Sequence, residues 1–256
     1  MRGKHYTAYR QIADFWDTHS LANYWDQTEE GTNAVIHTAS LHAPHVGVHS
    51  EQAFYETNVR GTESLLNACL QHGVKRFIYT STTSLYGNAM VPTDRAVWVT
   101  EERPPIPRDI YDETKIAAEH ACCAAANEAL TRISLRISRC FPEPAPLMTI
   151  YRLYRGVDLR DVANAHMLSL STPHSEVEAF NISAVSPFVL EDTEALLTHA
   201  AEVMTRYYPW APEAFRRRGW LLPHTIDRVY VMEKAQRMLS YRPEHNFDAV
   251  LHSRGS

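Results

Sequence analysis

From residue 33 onward, short β-branched and apolar runs alternate with stretches of helical periodicity, and that alternation restricts the chain to a parallel sheet covered by helices. Ala34-Val35-Ile36 reads as a buried strand. A helix follows over about 51–72, with Phe54, Val59, Leu65, Leu66 and Cys69 on one side and Gly73 as its C-cap. Lys75 to Thr80 is the next strand, opening into the polar loop Ser81-Thr82-Thr83-Ser84-Leu85-Tyr86-Gly87. After a proline-rich entry (Pro104, Pro105, Pro107), a second helix is expected over about 111–127, and Thr131 to Ile137 forms a third strand. Gly156 to Asp158 reads as a short strand before a helix over about 160–169, and Phe180 to Ile182 as the last strand. Pro187, Pro209, Pro212 and Pro223 then punctuate a helical remainder that ends in a helix over about 227–239. The predicted fold is α/β: a partial doubly wound parallel sheet with helices on both faces and a small, mostly helical C-terminal cap. Three regions are expected, an atypical leader over 1–33, the sheet domain over 34–183 and the cap over 184–256.

Composition narrows the function classes. A net charge of −5 gives no basis for a nucleic-acid-binding face. The longest basic run, Arg216-Arg217-Arg218, suits a solvated surface. The four cysteines (Cys69, Cys122, Cys123, Cys140) show no CxxC spacing, so neither a disulfide framework nor a zinc site is expected. No apolar run approaches a membrane span, and Met1 to Tyr6 do not lead into a signal-peptide core. A cytoplasmic, reduced environment and a small-molecule partner are the expectation.

Tyr111 and Lys115 lie four apart on a predicted helix, so both side chains emerge on one face. A free phenol ionises near pH 10 and is a poor acid–base at neutral pH. An ammonium one helical turn away favours the phenolate. A hydroxyl from Thr82, in the loop at a strand's carboxyl end, lies where open α/β sheets bind ligands and can address the same substrate oxygen. YxxxK alone is a weak signal. Here it opens a helix about 25 residues after a strand and a serine/threonine-rich loop.

Over residues 34–183 the chain resembles the NAD-dependent epimerase/dehydratase family of extended short-chain dehydrogenases/reductases. The matching pieces, in order, are Val35 to Ala39, Thr57 to Thr62, Phe77 to Gly87, Tyr111 to Lys115, Leu135-Arg136 and Val157 to Ala163. The resemblance implies a Rossmann-like sheet and hydride transfer at a hydroxyl or carbonyl carbon, as a redox step or as a transient step of epimerisation or dehydration. It implies Tyr111 as general acid–base, and Lys115 as the group that lowers its pKa and binds the nicotinamide ribose. Thr82 stands at the family's catalytic Ser/Thr position, and Asn58 at the asparagine that supports the lysine through water. Ala39 and Thr80 are implied to lie along the cofactor, NAD or NADP, and a homodimer is implied through helices that include the one bearing Tyr111.

The departures are as specific. The nine glycines lie at 3, 31, 47, 61, 73, 87, 156, 219 and 255, and the closest two are 12 apart, so these residues contain no GxxGxxG or GxGxxG. That loop normally brings backbone and a helix N-terminus to the pyrophosphate. Dinucleotide affinity is expected to suffer, NAD and NADP are not distinguished, and the Val35 strand is expected to be an apolar sheet edge open to pairing. Only 17 residues separate Arg139 from Val157, a short interval for a nucleotide-sugar-binding insertion. Residues 13–30 resemble the leader of some CopG-type antitoxins; the alternatives are an amphipathic segment whose Phe15, Trp16, Leu21, Tyr24 and Trp25 pack on the sheet, or a rearranged gene. A different class of function is a non-catalytic remnant that binds protein through that leader or edge. His37, His42, His45 and His49 lack a carboxylate or thiol to complete a metal site, and Asp158 and Asp161 suit the start of a helix.

Overall fold

The computed structural model describes residues 32–125, 130–172 and 177–253. The leader residues singled out above, Phe15 to Trp25, lie outside the described residues.

Four parallel strands form the main sheet: β1 (Ala34–His37), β2 (Arg76–Thr82), β4 (Thr131–Ile137) and β5 (Val177–Ile182), in the order β1-β2-β4-β5. Ile78 pairs with Ile133, Thr80 with Leu135 and Thr82 with Ile137, which sets the register of the central pair. Alternate residues of β2 face opposite sides, as a two-residue pleat requires. Phe77 and Tyr79 pack with Leu66, Cys69, Ala118 and Cys122 on one face, whereas Ile78 packs with Val162, Ala165 and Phe180 on the other. Each fully buried aliphatic or phenyl side chain contributes roughly 1.5–3 kcal/mol.

The first face carries α1 and α2. Helix α1 runs through Glu51–Phe54, a π-helical turn at Tyr55–Arg60 and Gly61–Gln71. Ser50 caps it by accepting from the Ala53 N–H, and Gly73 closes it at φ +67°. Helix α2 (Ile110–Ala124) starts at Asp109, whose carboxylate accepts from the Asp112 N–H at 3.0 Å. The second face carries α4 (Leu159–Ser171), with Asp158 as its N-cap. Asp161 instead receives the backbone N–H groups of Glu244 and His245, tying α4 to the C-terminal region.

Two expectations are corrected. Gly156 to Asp158 is not a strand; Gly156 makes one isolated bridge to Arg139, because Asp158 already turns the chain into α4. The helix expected over 227–239 is split into β6 (Arg228–Tyr230) and α8 (Glu233–Met238). Its first part pairs in parallel with β3 (Val97–Val99), a partner too distant in sequence for local periodicity to reveal. The shorter helices are α3 (Ala145–Tyr151), α5 (Thr193–Thr198), α6 (Ala200–Tyr207), α7 (Ala211–Arg217) and α9 (Phe247–Ser253). Leu196, Val203, Phe215 and Phe247 form a separate core beside Ala96, Leu153 and Tyr154. Among the described residues β1 pairs with β2 alone, and no helix is long and apolar enough to cross a membrane.

Candidate active site

The site forms where β2 ends and α2 begins. Thr82 is the last residue of β2 and caps a 3₁₀ turn over Thr83–Tyr86, its Oγ1 accepting from the Ser84 N–H at 3.1 Å. Gly87 ends that turn at φ +53°, where a Cβ would meet the Ile106 carbonyl oxygen at 2.0 Å. Side chains longer than hydrogen are excluded there, so the loop lies flat on the entry to α2.

Tyr111 occupies the first turn of α2 and is 6% exposed. Burial pushes its phenol up to about 12, against the opposing pull of the Thr82 side chain. Lys115 follows one turn later and is 1% exposed. Burial pulls its ammonium down to about 7, against the opposing pull of Glu119. Its Nζ donates to the Thr80 carbonyl at 2.7 Å and sits 4.3 Å from the centre of the Tyr79 ring. One of three N–H donors is thereby engaged.

The remaining residues singled out from the sequence take definite places. Thr80 presents its carbonyl to Lys115 but its hydroxyl to His166, at 2.8 Å from Nε2. The Nδ1–H of His166 donates to the Val162 carbonyl, so Nε2 accepts from Thr80. Ala39 lies half-buried in the segment after β1. Asn58, in the π-helical turn, reaches both that segment and α2. Its Oδ1 accepts from the Leu41 N–H (2.7 Å) and the Ser40 hydroxyl (3.1 Å), while Nδ2 donates to the Leu41 carbonyl (3.0 Å) and to Thr114 Oγ1 (3.1 Å). All four hydrogen-bonding directions of the amide are engaged by protein.

Several further residues lie near the site without having been assigned to it from the sequence, His37 and His42 having been weighed only as metal ligands. The ring of His42 stands 6.2 Å from that of Tyr111, and partial burial together with the Lys115 charge holds its pKa below the ordinary value. His37 is buried deeper: its Nε2 donates to Thr62 Oγ1, which donates on to the Asn58 carbonyl, and burial lowers its pKa to about 3. The four-residue spacing of Arg108 and Asp112 was readable as an ion pair, and they form one at 2.9 Å. Arg136 and Glu119 pair at 2.8 Å with both side chains nearly buried, and Arg136 also donates to the Tyr86 hydroxyl.

A buried phenol and a half-buried hydroxyl at the carboxyl end of a parallel sheet, with an ammonium one helical turn on, are one element of family membership. The sequence supplies the other: a model of the NAD dependent epimerase/dehydratase family matches residues 5–145. The chain belongs to this family. The matched range takes in residues 13–30. Sterol-4-alpha-carboxylate 3-dehydrogenase (decarboxylating) of Schizosaccharomyces pombe is 32% identical over 258 aligned positions, covering 82% of this chain and 72% of that protein. UDP-glucose 4-epimerase of Halalkalibacterium halodurans is 35% identical over 92 residues, 36% of this chain. The chain spans only part of such epimerases: the matched segments cover 21% to 26% of three of them. Among solved structures, the UDP-Glc/GlcNAc 4-epimerase of Campylobacter jejuni superposes with a TM-score of 0.63 over 93% of this chain and 80% of that one, at 17% identity. The Pseudomonas aeruginosa protein RMD, complexed with NADPH, gives a TM-score of 0.62 at 20% identity over 92% of this chain and 83% of its own. At such identities the likeness speaks to the fold.

The site suits the nicotinamide-ribose half of a dinucleotide, because Lys115 retains N–H donors in a buried position beside Tyr111. The four described glycines with positive φ, at 47, 73, 87 and 219, make no close-spaced cradle for a pyrophosphate.

Proposed function

We propose that this chain takes part in NAD(P)-linked hydride transfer at a hydroxyl- or carbonyl-bearing carbon of a small-molecule substrate, by redox or as a step of epimerisation or dehydration. The observation that carries this reading is a buried Tyr111 in the first turn of α2, one turn before a buried lysine with uncommitted N–H donors, with Thr82 at the end of β2. Tyr111 exchanges a proton with the substrate oxygen, and Thr82 donates a hydrogen bond to that oxygen. Lys115 and the segment bearing Ala39 hold the nicotinamide ribose, with Thr80 positioning the lysine through its carbonyl. The dinucleotide, when bound, supplies or accepts the hydride.

Electrostatics define what the residues must do. Burial is the largest influence in holding Tyr111 near 12 and Lys115 near 7, which disfavours both charged forms. A charged Lys115, held by ribose hydroxyls, favours the phenolate and brings Tyr111 toward a working range. The relatives are enzymes by name, which favours this reading over that of a protein-binding remnant. Their names span UDP-glucose and a sterol carboxylate, so the substrate proposed here is defined by its reacting carbinol or carbonyl carbon alone. The division into leader, sheet domain and cap, with the cap contacting substrate, and a homodimer paired through α2 belong to the same proposal.

The test is a thermal-shift titration with NAD(H) and NADP(H). A ligand at 100 times its dissociation constant stabilises by roughly 2.7 kcal/mol. Absence of any shift at millimolar dinucleotide overturns the reading. With binding in hand, Tyr111→Phe is expected to abolish turnover and largely spare the shift; retained turnover removes Tyr111 from the acid–base role.

A further inference from the structure

We propose that Ser84, Asp112 and Arg108 form a latch that closes the loop after β2 onto the first turn of α2 and so fixes the Thr82 hydroxyl relative to the Tyr111 phenol. These are positioning residues, and the inference rests on the reading of Thr82 and Tyr111 as the reacting pair.

Asp112 is wholly buried, and its carboxylate accepts from the Ser84 hydroxyl at 2.7 Å, Arg108 Nε at 2.9 Å and the Arg108 backbone N–H at 3.2 Å. Arg108 Nη2 donates to Ser84 Oγ at 2.7 Å. The serine hydroxyl thus has its hydrogen on Asp112 and a lone pair on Arg108, and its direction is fixed from both sides. The backbone N–H of the same serine donates to Thr82 Oγ1. With that lone pair engaged, the threonine hydroxyl has few remaining orientations at the end of β2, and it pulls the phenol of Tyr111 toward its charged form. A tie between loop and helix does not require charge, since a buried ion pair replaced by apolar residues is often neutral or stabilising. Directional control of Ser84 is what the charged arrangement adds.

The latch also surrounds the phenol with charge. Besides burial, Asp112 on α2, Cys140 from beyond β4 and the N-cap residue Asp109 raise the Tyr111 pKa. Arg108 stands opposite Asp112, with Asp109 and Arg228 of β6 also facing it. His42 borders the phenol from the segment after β1, and Lys115 lies one turn along α2.

The test needs no dinucleotide. Tyrosine isotope-labelled at Cζ reports hydrogen bonding at each phenol by NMR, and Tyr111→Phe assigns the Tyr111 resonance. Thr82→Val is expected to displace that resonance. Ser84→Ala and Arg108→Ala are expected to displace it in the same direction, and Ser84→Ala to add no displacement once Thr82→Val is present. Because the Arg108 side chain is 43% exposed, methylguanidinium is expected to restore the resonance in Arg108→Ala. Glu56→Ala, which breaks a surface pair elsewhere, is the control. Should Arg108→Ala not fold, Arg108→Gln carries the same measurement. A Tyr111 resonance indifferent to Thr82→Val, or unmoved in folded Ser84→Ala and Arg108 variants, overturns the latch. So does a Ser84→Ala displacement that persists in full with Thr82→Val. A latch response without dinucleotide binding sinks the proposed function alone, and binding without a latch response sinks the latch alone.

Discussion

Replacing Asn58 with alanine separates two roles that the same residue could play. The structure engages its amide in four hydrogen bonds that join the segment after β1 to α2. Truncation leaves the two hydroxyls with other partners: Ser40 also donates to Leu41 O, and Thr114 to the Ile110 carbonyl. The Leu41 N–H has no such substitute. An unpaired, partly buried N–H costs about 1–3 kcal/mol, and each lost neutral bond about 1 kcal/mol net. A total near 3 kcal/mol is expected for Asn58→Ala. In a chain of this size that lowers Tm by about 6–12 °C. Urea unfolding is the assay, with the midpoint falling and the slope unchanged. Asn58→Asp keeps the acceptor for Leu41 and removes both donors, so it is expected to be destabilising as well. If Asn58 instead serves chiefly to carry a water to Lys115, stability changes little and dinucleotide binding weakens. A loss below about 1 kcal/mol for Asn58→Ala refutes the clamp.

Two further outcomes follow from burial and backbone geometry. Lys115 is held near 7 against an ordinary 10.5, so between those values the unfolded chain takes up a proton that the folded one does not. Its contribution is therefore lost as pH falls from 10.5 toward 7, by at most about 1.4 kcal/mol per pH unit, and Lys115→Met is expected to flatten that part of a stability-against-pH profile. Gly87→Ala places a Cβ on the Ile106 carbonyl at positive φ, and a melting temperature within a degree or two of the parent's would show that the loop yields.

Local rules read much of this protein from its residues. Helical periodicity put Tyr111 and Lys115 on one face of α2, and the β-branched runs located all four strands of the main sheet. Asp158 caps α4 because a carboxylate before a helix has the N–H groups of the first turn within reach. Each of these depends on residues within a turn or two, so sequence spacing carries the information. Gly156 to Asp158 and the span 227–239 were misread for the complementary reason. Their conformation depends on a competing cap and on β3, neither of which periodicity registers.

The state of the site belongs to tertiary structure. Asn58 was legible as a motif residue, but its partners Leu41 and Thr114 are brought to it by the packing of α1 on α2 and by the π-helical turn. The four-residue spacing suggested that Lys115 would lower the Tyr111 pKa; burial instead dominates both groups and drives them the opposite way. Desolvation is a sum over everything packed around a group, and a hydrogen bond such as that from Lys115 to Thr80 joins elements far apart in sequence. The sequence alone determined which residues meet along a helix or a strand, because those distances are set by backbone geometry. Their protonation, and which neighbours hold them, were decided only when α2 closed over β2 and water was excluded.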